Sequence, residues 1–256
     1  MGTFLWRPYV PVAVRQRQAA REMSRLSQNG HKVLPVRVAG REIAATFWGR
    51  AWCENLESYS DYDNRLPRGR TYVRNGSVID LQIKPAKVQA LVSGSEIYKV
   101  SALIRPLAPA RWKALVRECS GKIGSLVELL QGRVSSSVLQ VLARRKKGMF
   151  PEPPEMSFSC SCPDWADMCK HVAAALYGVG ARLDEKPELF FTLRKVDQAD
   201  LVSRAGSAVP RALSANGKGK RRLAASRLEG VFGIELDGRA GKRRKALVRS
   251  ARRPRG

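Results

Sequence analysis

Acidic side chains are scarce and histidine is nearly absent: the 256 residues hold 22 Asp+Glu against 47 Lys+Arg, and only 2 His. No apolar run approaches the roughly 18 residues of a spanning helix, which argues against a membrane-spanning chain. The stretch from Met1 to Gln16 lacks a basic segment followed by an apolar run and a small-residue cleavage site, so export is not expected. Trp6 breaks the myristoylation pattern. Five cysteines make an odd, sparse set, unlike the dense, even framework of a small secreted domain. The expected setting is therefore reducing and cytoplasmic, and nucleoid-associated in a bacterium. No Gly-rich phosphate loop, Ser/His/Asp arrangement or paired-carboxylate spacing stands out, so no enzymatic role is expected.

What the chain does contain is positive charge, unevenly placed. The formal net charge is +25, and residues 201–256 contribute 16 basic and 3 acidic side chains, against 31 and 19 in the first 200. That last stretch contains Lys218, Lys220, Arg221 and Arg222, then Lys242, Arg243, Arg244 and Lys245. Small and basic residues with little apolar content cannot offset the entropy of ordering, so 197–256 reads as a basic, mostly flexible, disordered tail with one short apolar element at 228–236. Such charge suits phosphate contact by counterion release, and nucleic acid, in particular DNA, is expected ahead of a membrane surface. With 44% apolar residues overall, the rest of the chain reads as globular.

Periodicity divides the globular part. Residues 1–40 read as irregular, with a helix around Arg15 to Leu26. From Thr46, a candidate cap, Trp48, Trp52, Leu56 and Tyr59 recur at helical spacing, and Cys53 beside them reads as a packing residue. The period then drops to two. Thr71 to Arg74, ending at Asn75-Gly76, reads as the first strand of a hairpin. Ile79 to Ile83, Val88 to Val92 and Tyr98 to Ile104 follow, giving four consecutive strands of an antiparallel meander over about 70–105. Arg65, Arg68, Arg70 and Arg74, interleaved with Tyr62 and Tyr72, read either as a surface for phosphate contact and base stacking or as a solvated loop. Trp112, Leu115, Val116 and Cys119 mark one further helix, Ile123, Leu126, Val127 and Leu130 a second, and Ser136 to Arg145 a third. Pro151 to Pro154 then impose an extended connector. The predicted class is α+β: an antiparallel β-meander and helices over 41–150, then a small zinc-knuckle module over 151–196.

That module carries the most specific signal. Cys160, Cys162, Cys169 and His171 lie within 12 residues, while the other 244 contain two cysteines and one histidine. Zinc takes four sulfur or imidazole donors in a tetrahedron, and two short-spaced pairs closing a loop supply them. A Cys160–Cys162 disulfide would close a strained ring and leave His171 unexplained. A thiol nucleophile needs one cysteine rather than three, and an iron–sulfur cluster fits the single-residue spacings less well than one ion does. Trp165 is expected to shield the sulfurs, Asp164 or Asp167 to accept a hydrogen bond or turn the loop, and Lys170 to offset the negative charge of three thiolates. Val172, Ala175, Leu176 and Val179 form an inward helical stripe that would anchor the module. His31 has no partner pattern and is assigned no function.

Cys-x-Cys, a loop, then Cys-x-His running into an alanine-rich helix resembles the SWIM zinc finger, and the Cys-Pro-Asp-Trp and Cys-Lys-His-Val stretches look like its bacterial members. Trp48-Gly49-Arg50-Ala51-Trp52, Arg68-Gly69-Arg70 and Phe232-Gly233-Ile234-Glu235-Leu236 extend the similarity to about residues 40–236. The resemblance implies one structural Zn2+ on Cys160, Cys162, Cys169 and His171, and points to a helicase-like ATPase of Swi/Snf type as a partner. The basic Arg144-Arg145-Lys146-Lys147 departs from the acidic character expected there. Two functions follow as expectations: a zinc-stabilised nucleic-acid-binding protein, or an adaptor for such an ATPase.

Overall fold

The computed structural model describes residues 10–59 and 64–203, an α+β arrangement built around one antiparallel sheet. Strands β1 (Val78–Lys84), β2 (Lys87–Ser93) and β3 (Ile97–Ile104) form the meander expected from the alternation. In β2 and β3 the alternating residues Val88, Ala90, Val92, Val100, Ala102 and Ile104 are buried, as expected for a sheet with one face on the core. The fourth strand is not the one expected. Thr71 to Arg74 belong to helix α3 (Leu66–Arg74), and sheet order β1-β2-β3-β4 is completed by β4 (Met156–Cys160), antiparallel to β3 with Val100 opposite Cys160.

The reason lies in α3's packing. Pro67 occupies its first turn, where a missing N–H costs nothing. Gly69 presses so closely on helix α7 (Lys170–Glu185) that a Cβ there would sit 2.5 Å from the Cβ of Ala173. Gly76, with φ +67°, then ends the helix as a left-handed residue instead of turning a hairpin. Burial against α7 outweighs the β-propensity of Thr71, Tyr72 and Val73.

Helix α7 is the centre of the molecule. All its residues from His171 to Ala181 are buried, and it lies on the sheet between α3 and α2 (Phe47–Glu57). At α2, Gly49 allows the same close approach, since a Cβ would fall 2.5 Å from the carbonyl oxygen of Gly180. The indoles of Trp48 and Trp52 are fully buried and donate to the carbonyls of Leu129 (3.0 Å) and Leu176 (2.8 Å). Thr46 does not cap α2 with its own side chain. Asp184 at the far end of α7 accepts the Thr46 N–H (3.1 Å) and hydroxyl (2.6 Å).

Other expectations shift in detail. The N-terminal helix runs over Val12–Gln28, longer than expected in a segment read as irregular. His31, given no role, bonds the buried Asp80 at 2.8 Å, and Leu34 N–H donates to the same carboxylate. The segment after it covers the edge of β1 through Leu81 N–H to Leu34 O and Val36 N–H to Val78 O. Helix α4 (Pro109–Cys119) buries Trp112, Leu115, Val116 and Cys119 as expected. The next stripe is only the short α5 (Leu126–Leu130), with Leu129 buried and Val127 59% exposed. Helix α6 (Ser136–Ala143) buries Val138, Val141 and Leu142. The proline connector holds one 3-10 turn, Pro153–Glu155.

The sheet crosses the boundary expected at residue 150, because the strand carrying Cys160 is its fourth member. Beyond α8 (Glu188–Arg194), the start of the segment read as tail is folded: α9 (Ala199–Ser203) buries Leu201, and Trp112 Nε1 donates to Asp200 (2.8 Å). The remaining basic tail, including Lys218, Lys220, Arg221, Arg222, Lys242, Arg243, Arg244, Lys245 and the apolar element 228–236, lies outside the described residues. Among the described residues no helix is long and apolar enough to cross a membrane.

Candidate metal centre

Two elements deliver the four donors. β4 ends at Cys160, and the bend after it brings up Cys162; Cys169 is the N-cap of α7, and His171 lies in that helix's first turn. The ligand atoms of Cys160, Cys162, Cys169 and His171 all lie within 4.8 Å of one another. His171 turns Nδ1 toward the sulfurs, 3.9 Å from Sγ of both Cys160 and Cys169. A tetrahedron with zinc–sulfur arms of about 2.3 Å and a nitrogen arm of about 2.0–2.1 Å has edges of about 3.5–3.8 Å. The donor set therefore fits a zinc ion with small movements. All five cysteines are free thiols, so no disulfide competes for the ligands.

The protonation of the cluster points the same way. The Cys169 thiol is pulled well down, first by a hydrogen bond from Cys160 and also by His171, and the N-terminus of α7 favours a thiolate at that position. Cys160 is pushed up by its bond to the Cys169 sulfur and by burial, and Cys162 is pushed up chiefly by burial. Three sulfurs this close share negative charge poorly on their own, and a divalent cation is what allows all three to ionise. By contrast Cys53 and Cys119 are pushed up to about 12 and about 11, mainly by burial, as packing thiols should be.

The imidazole is held by its surroundings. His171 is 3% exposed, stacked on Tyr98 with ring centroids 4.2 Å apart, and met edge-on by Tyr72 at 5.4 Å. With a metal ion on Nδ1 the ring proton would sit on Nε2, a buried atom with no hydrogen-bond partner among the described residues. Gly94, in the β2–β3 turn, gives that edge its room: a Cβ would lie 2.9 Å from Nε2 and 2.8 Å from the Tyr98 ring. Tyr72, Tyr98 and Gly94 carry no motif, and nothing in sequence spacing connects them to the cysteines. Only the sheet register and the docking of α3 bring them together.

The loop between the ligand pairs behaves partly as expected. Asp164 turns it by accepting the Ala166 N–H (3.3 Å), and also receives Arg65 (3.2 Å). Trp165 does not shield the sulfurs: it is 92% exposed. Of the sulfurs, Cys169 is itself buried, while Cys160 and Cys162 are partly exposed. Lys170 lies over the Tyr72 ring, 5.8 Å from its centroid, on the same ring that Arg15 covers at 5.1 Å.

The four arginines expected to form one surface separate into two sets. Arg65 is tied to Asp164, and Arg70 bonds Glu57 and the Tyr177 hydroxyl. Arg68 and Arg74 are exposed, outside the stripe of buried Leu66, Gly69 and Val73 and on different sides of α3, with Arg74 donating to the Arg41 carbonyl. Tyr62 lies outside the described residues.

Comparison with known proteins agrees with this geometry. Residues 158–179 match the SWIM zinc finger family, a stretch that contains β4's end, the loop, all four donors and the first half of α7. The chain is 34% identical over 169 residues to an uncharacterized protein of Mycobacterium tuberculosis, a match covering 65% of this chain and 61% of that relative. No solved structure matches. The segment is thus a SWIM zinc finger whose Cys3His set points to zinc.

Proposed function

We propose that the protein is a non-enzymatic zinc-binding module that binds nucleic acid, DNA foremost, with a single structural zinc holding the platform and Lys/Arg supplying phosphate affinity. One observation carries the reading. The four donors sit where β4 meets α7, and α3, packed against that same helix, turns Arg68 and Arg74 outward in a chain of net charge +25. Four protein donors close a tetrahedral shell and leave no position for a reacting water, which supports a structural ion rather than a catalytic one. When bound, the ion would clamp the end of the fourth strand to the start of the central helix, and its binding energy becomes folding energy.

The test is a salt titration of zinc-loaded protein on duplex DNA. Neutralising several phosphates predicts affinity falling by orders of magnitude between low and physiological salt, with a further loss on Arg68→Ala/Arg74→Ala. An absence of DNA affinity at low salt, together with a salt-tolerant complex with a helicase-like ATPase, would replace this reading with that of an adaptor.

A further inference from the structure

The side chain expected to cover the metal faces solvent instead. Trp165 is 92% exposed, far more than the other exposed large apolar side chains among the described residues, Leu103 at 52% and Val127 at 59%. An indole left in water forgoes the burial that a residue of its size usually gains. The loop carrying it is nonetheless tied down on both sides. Asp164 is bonded to Arg65 and to the Ala166 N–H, and Met168 and Cys169 are buried. The ring is therefore presented on a braced support.

Beside it lies a groove of about 660 Å³ between the loop, β4 and the start of α3, within the size range of small-ligand sites. Met156 and Phe158 contribute apolar wall, Trp165 the exposed aromatic face, and Asn64, Arg65 and Asp167 the polar rim. An aromatic face is a stacking partner for any base. An amide and a carboxylate match the donors and acceptors of base edges. Arg68, one turn further along α3 and outside the groove's lining, is exposed and offers a positive charge nearby in the chain. The chain's positive charge favours a polyanionic ligand over a peptide.

We propose that this groove receives an unpaired nucleobase, stacked on Trp165, so that the finger prefers single-stranded over double-stranded nucleic acid. The inference rests on the nucleic-acid reading above and adds the strand state and the residue that senses it. In a duplex the bases are stacked on one another and withhold their faces, whereas a single strand can turn one out.

The experiment compares full-length, zinc-loaded protein with Trp165→Ala and Trp165→Phe on a labelled mixed-sequence single strand of roughly 15 nucleotides, about one site size, and on the duplex of the same sequence. Losing one base stack predicts about tenfold weaker single-strand binding for Trp165→Ala. Duplex affinity should stay within about twofold, and Trp165→Phe should recover most of the loss. Zinc content and melting temperature should not change, because the side chain is exposed. An equal loss on both strand forms, or no loss on the single strand, overturns the groove while leaving the nucleic-acid reading intact. Wild-type protein that binds neither form overturns both.

Discussion

The two ligand pairs of the zinc finger are held differently. Cys169 and His171 are 1% and 3% exposed and belong to the core on which α7 is packed. Cys160 and Cys162 are partly exposed, at the end of an outer strand and in the bend beyond it. The helix pair is held by the packing of α7 against α2, α3 and the sheet. The strand pair has less packing of its own and gains most from the ion. A zinc site built this way staples a peripheral strand to a packed helix.

The largest effect that can test this difference is ligand removal. Cys169→Ser and His171→Ala should each abolish stoichiometric zinc, read by metal analysis, and lower the melting temperature by roughly 10 °C, since metal binding is folding energy and about 2–4 °C accompany each kcal/mol in a chain of this size. Cys162→Ser should also lose zinc. The sharper comparison is made in excess chelator. There Cys162→Ser should melt with the chelated wild type, whereas His171→Ala should melt below it, because that variant also removes a ring packed between Tyr98 and Tyr72. Identical melting of both variants under chelator would show the two pairs to be equivalent.

The strand pair is anchored from below by Glu155, the residue before β4. Its carboxylate receives Arg111 (2.8 Å) and the fully buried Arg194 (3.3 Å). Burial alone would raise its pKa, but the two guanidiniums and the Glu152 N–H outweigh that and hold it below the ordinary value of 4.5. A carboxyl depressed on folding contributes stability that is present above its unfolded pKa and lost as pH falls through the lower, folded one. Glu155→Gln leaves Arg194 buried without an anion, at a cost of about 3 kcal/mol near neutral pH. Below about pH 4 the gap to wild type should narrow, as urea melts at several pH values will show. A gap independent of pH would mean that the charge is not what holds the strand.

Next in size is pressure on the helix pair from outside. Gly94→Ala places a methyl against Nε2 of His171 and the Tyr98 ring, and such overpacking costs about 1–3 kcal/mol. Zinc should still bind, but more weakly in a chelator competition, because the imidazole must rotate out of its stack. Unchanged zinc affinity would show that the ring has room the close contacts deny it.

How much of this was legible beforehand divides along the same line. All four ligands follow from spacing, since metal chemistry needs particular residue types at short intervals. The stripes at Trp48, Trp112 and Val172 follow from periodicity. Residues 71–74 misled because Thr, Tyr and Val before Asn-Gly carry a hairpin's local signature, while the close contact of Gly69 with Ala173 that selects helix is tertiary. The fourth strand is hidden inside the metal motif, because nothing local in Phe158 to Cys160 shows that they pair with β3. Proximity in sequence suggests a shielding role for Trp165, but in the fold its ring is 92% exposed. Gly94, Tyr72 and Tyr98 left no trace because they meet His171 only through the assembled sheet and α3.

The smallest effect concerns the loop that joins the two pairs. Arg65 and Asp164 meet at 3.2 Å with both side chains 23% exposed, and partly solvated pairs of this kind contribute about 0–1 kcal/mol. Asp164→Ala removes the pair and also the turn's acceptor for the Ala166 N–H. Global melting should therefore move by no more than about 3 °C, with zinc retained at equilibrium. The rate of zinc loss to a competing chelator should rise by a few-fold, because the loop that joins the half-exposed strand pair to the buried helix pair loses its turn. A rate equal to wild type would place the barrier to metal release in the core at Cys169 and His171, and the strand pair would then no longer be the side from which the site opens.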